Sequence, residues 1–245
     1  MFKGIKMAIA ALAVTLAGSM TAQADGPYSR SAPVSDPFRN FQVKVGLTGI
    51  LWNDHNNGIF LNGARQAGWD ASVSDVLLPT ATLTYFFSPK ISAELFCCFA
   101  KPRVNGEGAL AASGKLADSW AFPPIVTLKY HFDKVGALRP YIGAGVEYIK
   151  YFDSRSTLAG FNNVKFSDSW GPVVQAGFDY ELGGGWSVGF DAKYVWESTK
   201  LTFTGGANTI TTKHDLDPLM LTVNMGYRFN LEDVLGGRAS YTPMK

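Results

Sequence analysis

Charged side chains are scarce in this 245-residue chain, at 17% of residues, and neither sign dominates. The 22 Lys and Arg exceed the 20 Asp and Glu only because Lys3 and Lys6 lie in a first segment that contains no acid. A nucleic-acid-binding protein usually carries a basic stripe or patch. The balance of charge therefore argues against nucleic acid as a partner.

Long apolar runs are missing after residue 24, so no transmembrane helix is expected there. The first 24 residues resemble a secretory signal, with a positive start at Lys3 and Lys6, an apolar run over 7–20 and the small-x-small sequence AQA at 22–24. A membrane anchor helix is the alternative, but the run is short for the roughly 20 residues that a span needs. We expect a signal peptide over 1–24 and a periplasmic lead over 25–40.

Cysteine and histidine are also rare, with two and three residues respectively. Cys97 and Cys98 are adjacent, and Cα atoms about 3.8 Å apart are too close for an ordinary disulfide. We expect both to be small apolar fillers. The three histidines, His55, His131 and His214, are too scattered to match a metal-ligand spacing, and nothing indicates a cofactor.

Eight segments alternate apolar and polar side chains with a period of two, which is typical of strands with one apolar and one polar face. In the last of them, for example, Leu221 and Val223 share one face while Thr222 and Asn224 share the other. The eight segments are 41–52, 79–87, 91–99, 125–132, 140–152, 171–182, 186–197 and 221–230.

The links between these segments alternate in length. Three are short turns rich in Gly and Pro, at 88–90, 133–139 and 183–185. The other four are long, at about 53–74, 101–121, 153–167 and 204–215. Eight strands with short turns at one end and long loops at the other are typical of an outer-membrane barrel, with both termini in the periplasm.

A water-soluble barrel or sandwich is the competing architecture, and it would turn its apolar faces inward. Its outer faces should then be rich in charge, whereas the polar faces here hold mainly Gly, Thr, Ser and Gln with a few opposite charges. The apolar faces end in aromatic residues, as in the two interfacial belts of a membrane barrel. Near the short turns these are Phe87, Phe132, Tyr180, Trp186, Tyr227 and Phe229, and toward the long links they are Tyr148 and Trp196.

The sequence therefore predicts an all-β fold, an eight-stranded antiparallel transmembrane β-barrel over residues 41–229. Closure is required because an open sheet edge in lipid would leave backbone groups unpaired, at several kcal/mol each. The expected surroundings are outer-membrane lipids and lipopolysaccharide.

Four segments resemble the OmpW family of outer-membrane proteins: FPPIVTLKYHF (122–132), LRPYIGAGVEYIKYF (138–152), SDSWGPVVQAGFDY (167–180) and LDPLMLTVNMGYRF (216–229). The likeness is most specific in RPY-GAG and DSWG and weaker in the first hundred residues. The resemblance implies a barrel that passes small hydrophobic molecules across the outer membrane.

One departure from the family pattern concerns the C-terminus. Family chains usually stop at the final Phe, which the barrel-assembly machinery reads, whereas Phe229 is followed here by residues 230–245. We expect that machinery to read Tyr227 and Phe229 internally, and the 230–245 tail to be periplasmic.

Two sets of residues on the polar faces are candidate sites. Large apolar side chains there predict a ligand pocket: Trp52, Phe86, Phe96, Ile149 and Val195. Packing that merely fills the interior is the alternative, since an eight-stranded barrel holds little more than its own side chains. Charged residues on the same faces predict an interior network: Lys44, Glu94, Lys129, Glu147, Asp179, Asp191, Lys193 and Arg228.

Passive transport of small hydrophobic solutes, sideways or through the rim, is the leading function. A surface structural or adhesion protein acting through its outer loops is the alternative. An esterase or acyltransferase is a weaker rival, in which His55 or His214 would pair with a loop serine such as Ser72. The pairing of these residues cannot be read from the sequence, and we do not expect an enzyme.

Overall fold

The computed structural model describes residues 39–230. The expected signal peptide, most of the lead and nearly all of the tail lie outside these residues. Sixteen strands run through the described part: β1 (Phe41–Leu51), β2 (His55–Leu61), β3 (Ala64–Arg65), β4 (Trp69–Val73), β5 (Val76–Phe86), β6 (Ile91–Cys97), β7 (Arg103–Gly108), β8 (Lys115–Phe122), β9 (Ile125–His131), β10 (Leu138–Ser156), β11 (Asn163–Phe166), β12 (Ser169–Gly183), β13 (Trp186–Val195), β14 (Ser198–Gly205), β15 (Asn208–Asp215) and β16 (Leu219–Phe229). A short 3-10 turn occupies Ala111–Ser113.

Eight of these strands close into an antiparallel barrel, which confirms the predicted fold class. The ring runs β1–β5–β6–β9–β10–β12–β13–β16 and returns to β1. The closing pair is continuous from Phe41 opposite Phe229 to Leu51 opposite Leu219. Closure of this kind leaves the ring without an exposed strand edge. Within residues 39–230, no helix is both long and apolar enough to span a bilayer.

The four long links contain strands of their own, where loops were expected. β2, β3, β11, β14 and β15 form a second sheet, while β4, β7 and β8 join the outer part of the 19-residue β10. Sequence alternation is weak here because many side chains on both faces are polar or small, as in HNNGIFL of β2. We call the end that carries these strands the long-hairpin end, and the opposite one the turn end.

The outward face of the barrel is apolar. Leu47, Leu128 and Val45 are 57%, 59% and 60% exposed, and their sequence neighbours Lys44, Thr48 and Lys129 are at most 2% exposed. A wide band of exposed Val, Leu and Ile cannot face water at acceptable cost, and it matches the hydrocarbon region of a bilayer.

Aromatic residues border this band at both ends. At the turn end, Tyr85 packs against Phe87 with ring centroids 5.1 Å apart, and Trp186 packs against Tyr227 at 4.9 Å. At the long-hairpin end, the rings of Tyr148 and Trp170 lie 4.6 Å apart and those of Tyr194 and Trp196 4.8 Å apart. These two belts place the barrel's apolar band between two interfaces.

Replacing Leu128, in the middle of β9, by Arg should lower the free energy of unfolding by about 2–4 kcal/mol, because the charge then faces hydrocarbon. Urea unfolding in lipid vesicles measures this change. Val135→Arg is the control, since Val135 lies in a turn and is 72% exposed; it should have little effect. An equally small effect at position 128 would contradict the assignment of the outward face to lipid.

Candidate functional site

The interior of the barrel changes from polar to apolar along its axis. On β1 the inward side chains run from Gln42 and Lys44 through Thr48 to Ile50, and Trp52 follows. At the change, the Thr48 hydroxyl hydrogen-bonds to Thr80 and Thr222 at 2.9 and 2.8 Å. The polar half lies at the turn end and the apolar half at the long-hairpin end.

A charge network fills the polar half. Lys44 Nζ lies 2.6 Å from Asp179 Oδ1, Glu94 pairs with Lys129, and Lys193 Nζ lies 3.0 Å from the other oxygen of Glu94. Lys193 also pairs with Asp191. Each of these side chains is at most 6% exposed, and each charge of this network has an opposite partner, as a low-dielectric interior requires.

Two uncharged residues that were not predicted as site residues complete this network. The Tyr141 hydroxyl donates to Asp191 Oδ2 at 2.9 Å, and the Gln175 amide donates to Asp191 and Glu94 at 3.0 and 3.3 Å. Gly177 leaves room for the Tyr141 ring, because a Cβ there would lie 2.6 Å from the hydroxyl oxygen. Side chains from β1, β6, β9, β10, β12 and β13 thus meet across the barrel at this level.

Two of the predicted network residues lie apart from the others. The Arg228 guanidinium lies over the Phe86 ring at 3.7 Å, and its Nε donates to the carbonyl of Arg39 at the turn end. Glu147 lies in the apolar half, where the nearby acid is Glu197 rather than a cation. Strand alternation predicts which side a residue faces but not its depth along the barrel, and depth separates these two from the network.

The apolar half of the interior forms one packed cluster, which we call the chamber. It contains four of the five predicted pocket residues, Trp52, Phe96, Ile149 and Val195, together with residues such as Ile50, Val173 and Met220. Phe86 is not among them. It lies at the other end of β5, where its ring packs against His131 with centroids 5.0 Å apart.

The chamber is bounded on one side by the charge network, since Lys193 Nζ lies 4.9 Å from the Phe96 ring centroid. Toward the long hairpins the same cluster continues through Tyr151, Phe166, Leu201 and Phe203. Its side chains pack against one another, so a solute can enter only if they move. The polar half ends in a cavity of about 340 Å³ at the turn end, lined by residues that include Gln42, Arg139 and Ser187.

Acidic side chains form ion pairs and hydrogen bonds at the long-hairpin end. Asp118 accepts from Lys115 and lies 3.4 Å from Lys101, and these contacts hold its pKa below the ordinary value, with Lys115 the largest cause. The backbone N–H of Tyr151 is the largest cause of a lowered pKa at Asp168. Because the pKa of each of these carboxyls is lower in the folded state, their contacts stabilise the fold at pH values above the unfolded pKa. That stabilisation is lost as the pH falls through the folded pKa.

The structure does not assemble the His–Ser pair of the enzyme hypothesis. His214 Nδ1 lies 2.7 Å from Asp54 Oδ1, and the exposed His55 bonds to the carbonyl of Asn53. Among residues 39–230, neither histidine is hydrogen-bonded to Ser72. His131 lies in the polar half, where it bonds to Ser92 at 2.8 Å. Within the same range, no cluster of three or more His, Cys, Asp and Glu has the geometry of a metal site.

Replacing Glu94 by Gln should lower the free energy of unfolding by about 3–5 kcal/mol, because two buried ammonium groups lose their shared carboxylate. Adding Lys129→Met to this variant should recover part of the loss. Equilibrium unfolding in detergent or lipid measures both. The control is Asp133→Asn, which removes the exposed partner of Lys90 and should change nothing measurable. A Glu94→Gln protein as stable as the parent would contradict the network.

Comparison with known proteins agrees with this geometry. An outer-membrane protein of Sinorhizobium fredii called y4mB is 32% identical over 190 residues, which cover 77% of this chain and 80% of that protein. The "Dibenzothiophene metabolism operon protein PahQ" of Pseudomonas aeruginosa is 28% identical over 189 residues, covering 76% of this chain and 87% of the relative.

A solved structure shows the same fold. The crystal structure of the outer membrane protein OprG from Pseudomonas aeruginosa superposes with a TM-score of 0.73 at 31% identity, covering 78% of this chain and 96% of that one. The family model that describes the OmpW family matches residues 39–229, which include the whole barrel and its long hairpins. This chain is therefore an outer-membrane β-barrel protein that belongs to the OmpW family.

Proposed function

We propose that this protein carries small hydrophobic molecules across the outer membrane through the chamber. The observation that supports this most strongly is the division of the interior, in which a packed apolar half toward the long hairpins ends at the charge network. A water-filled pore would need a continuous polar path, and the packed apolar half interrupts it. The name of the relative PahQ refers to the metabolism of dibenzothiophene, an apolar aromatic compound.

In this proposal the turn end faces the periplasm. The described chain enters and leaves the barrel at that end, where Phe41 is paired with Phe229, so both termini would be periplasmic. The long hairpins would then face outward through the lipopolysaccharide layer. Tyr227 and Phe229 lie at the periplasmic end of the last strand, where the barrel-assembly machinery could read them.

A solute that reaches the chamber meets the network below it. Continuing along the axis would require it to separate buried ion pairs, which is costly in a low-dielectric interior. Leaving sideways between strands, or back through the rim, avoids that cost. The proposal therefore favours exit into the membrane's hydrocarbon region over release into the polar half.

Val173 and Val174 allow a matched test, because they are neighbours on β12 with opposite orientation. Val173 is 1% exposed in the chamber, and Val174 is 44% exposed on the lipid side. Val173→Trp should obstruct the chamber and slow uptake of radiolabelled naphthalene about tenfold or more, which corresponds to about 1.4 kcal/mol of added barrier. Val174→Trp should leave uptake near that of the parent.

Uptake is measured in cells that lack their own copy of the protein, and folding of each variant is checked by its heat-dependent gel mobility. Val173→Phe provides a milder obstruction if the tryptophan variant does not fold. Equal uptake by the parent, both position-173 variants and cells without the protein would contradict transport. An adhesin that acts through its hairpins would give that result.

A further inference from the structure

Polar groups with unused hydrogen-bonding capacity lie in the wall of the chamber. The indole Nε1 of Trp52 has no hydrogen-bond partner among residues 39–230, and the carboxyls of Glu147 and Glu197 have none there apart from each other. These residues are 8%, 1% and 6% exposed. Buried polar groups are normally satisfied, and two carboxyls that share one hydrogen still have oxygens free to accept another. Ionisable residues inside a membrane protein point to a functional site.

The two carboxyls approach each other from different strands. Glu147 lies on β10 and Glu197 two residues after the end of β13, with β12 between them. The residue of β12 opposite Glu147 is Gly171, so no side chain of β12 separates the two acids, and their carboxyls are hydrogen-bonded to each other. A Cβ at position 171 would lie 2.3 Å from the carbonyl oxygen of Trp196.

The Trp52 indole belongs to the same part of the wall. The backbone of Leu216 accepts from Asn53 N at 3.1 Å on one side and donates to the carbonyl of Glu197 at 2.9 Å on the other. Trp52 and Glu197 therefore flank one segment of chain, and both side chains point inward. Trp52 is also part of the packed cluster with Ile149 and Val195.

Together these groups offer hydrogen-bond acceptors and one donor within an otherwise apolar space. A hydroxyl group satisfies both kinds at once, because its hydrogen can be donated to a carboxyl oxygen while its oxygen accepts from the indole N–H. A hydrocarbon satisfies neither, and a protonated amine cannot accept from the indole. Leaving a buried donor or acceptor unpaired is costly, so the site discriminates among these three classes.

We propose that the chamber selects hydrophobic molecules that carry a hydroxyl group, such as long-chain alcohols and phenols, with Trp52, Glu147 and Glu197 as the polar anchor. This inference deepens the proposed function and rests on it. The apolar wall then binds the hydrocarbon part of the solute while the anchor fixes its one polar end.

The test is equilibrium binding of radiolabelled 1-decanol, n-decane and decylamine to the full chain in lipid nanodiscs, corrected for partition into empty nanodiscs. The parent protein should bind 1-decanol about tenfold more tightly than n-decane, as expected for hydrogen bonds made in place of unsatisfied groups. Trp52→Phe keeps an aromatic ring and removes the donor. It should weaken 1-decanol binding about fivefold and leave n-decane binding unchanged.

Trp120→Phe is the matched control, because Trp120 is 37% exposed and lies outside the cluster; its binding should equal that of the parent. Glu147→Leu removes acceptors and should also abolish the preference for 1-decanol. If the Glu147→Leu protein does not fold, the Trp52→Phe protein provides the test by itself. Equal binding of 1-decanol and n-decane, or tighter binding of decylamine, overturns the hydroxyl anchor and leaves hydrophobic transport standing. Binding of none of the three above empty nanodiscs overturns both.

Discussion

Closure of the backbone hydrogen-bond ring is the constraint on which the rest of this structure depends. In lipid no water can satisfy an unpaired N–H or C=O, so every strand of the ring must have a partner on both sides. The pairing of β1 with β16 meets this requirement over all eleven residues of each strand. With only eight strands, the ring encloses a space about as wide as the side chains that fill it.

Because that space is narrow, inward side chains must fill it and must serve as one another's contact partners. In the polar half they do so through ion pairs and amide hydrogen bonds, in which Glu94 serves two lysines and Gln175 joins two acids. In the apolar half they do so by packing. The charge network marks the boundary between the two halves. In the apolar half the indole N–H of Trp52 has no partner among residues 39–230, so a ligand can supply one there.

The sequence predicted much of the fold and less of the site. Alternation identified all eight wall strands and the inward side of each, because a residue's parity on a strand determines its face. It did not predict depth, so Phe86 and Trp52 were grouped although they lie at opposite ends of the interior, and Glu147 was grouped with charges that it does not meet. It also missed the strands of the long hairpins, whose polar and small side chains on both faces give little alternation. Gly171 and Gly177 are needed because atoms of other strands lie where a Cβ would be, and the sequence does not show which strands come that close.

In this barrel lipid should lie outside the wall, water should reach only the polar half, and the chamber should exclude water. Solid-state NMR in lipid bilayers measures these contacts by following magnetisation transfer from water and from lipid acyl chains to individual side chains. We expect transfer from acyl chains to Leu47 and Leu128, transfer from water to Gln42 and Ser187, and none from water to Ile149 and Val195. Strong transfer from water to Ile149 and Val195 would contradict a dry apolar half.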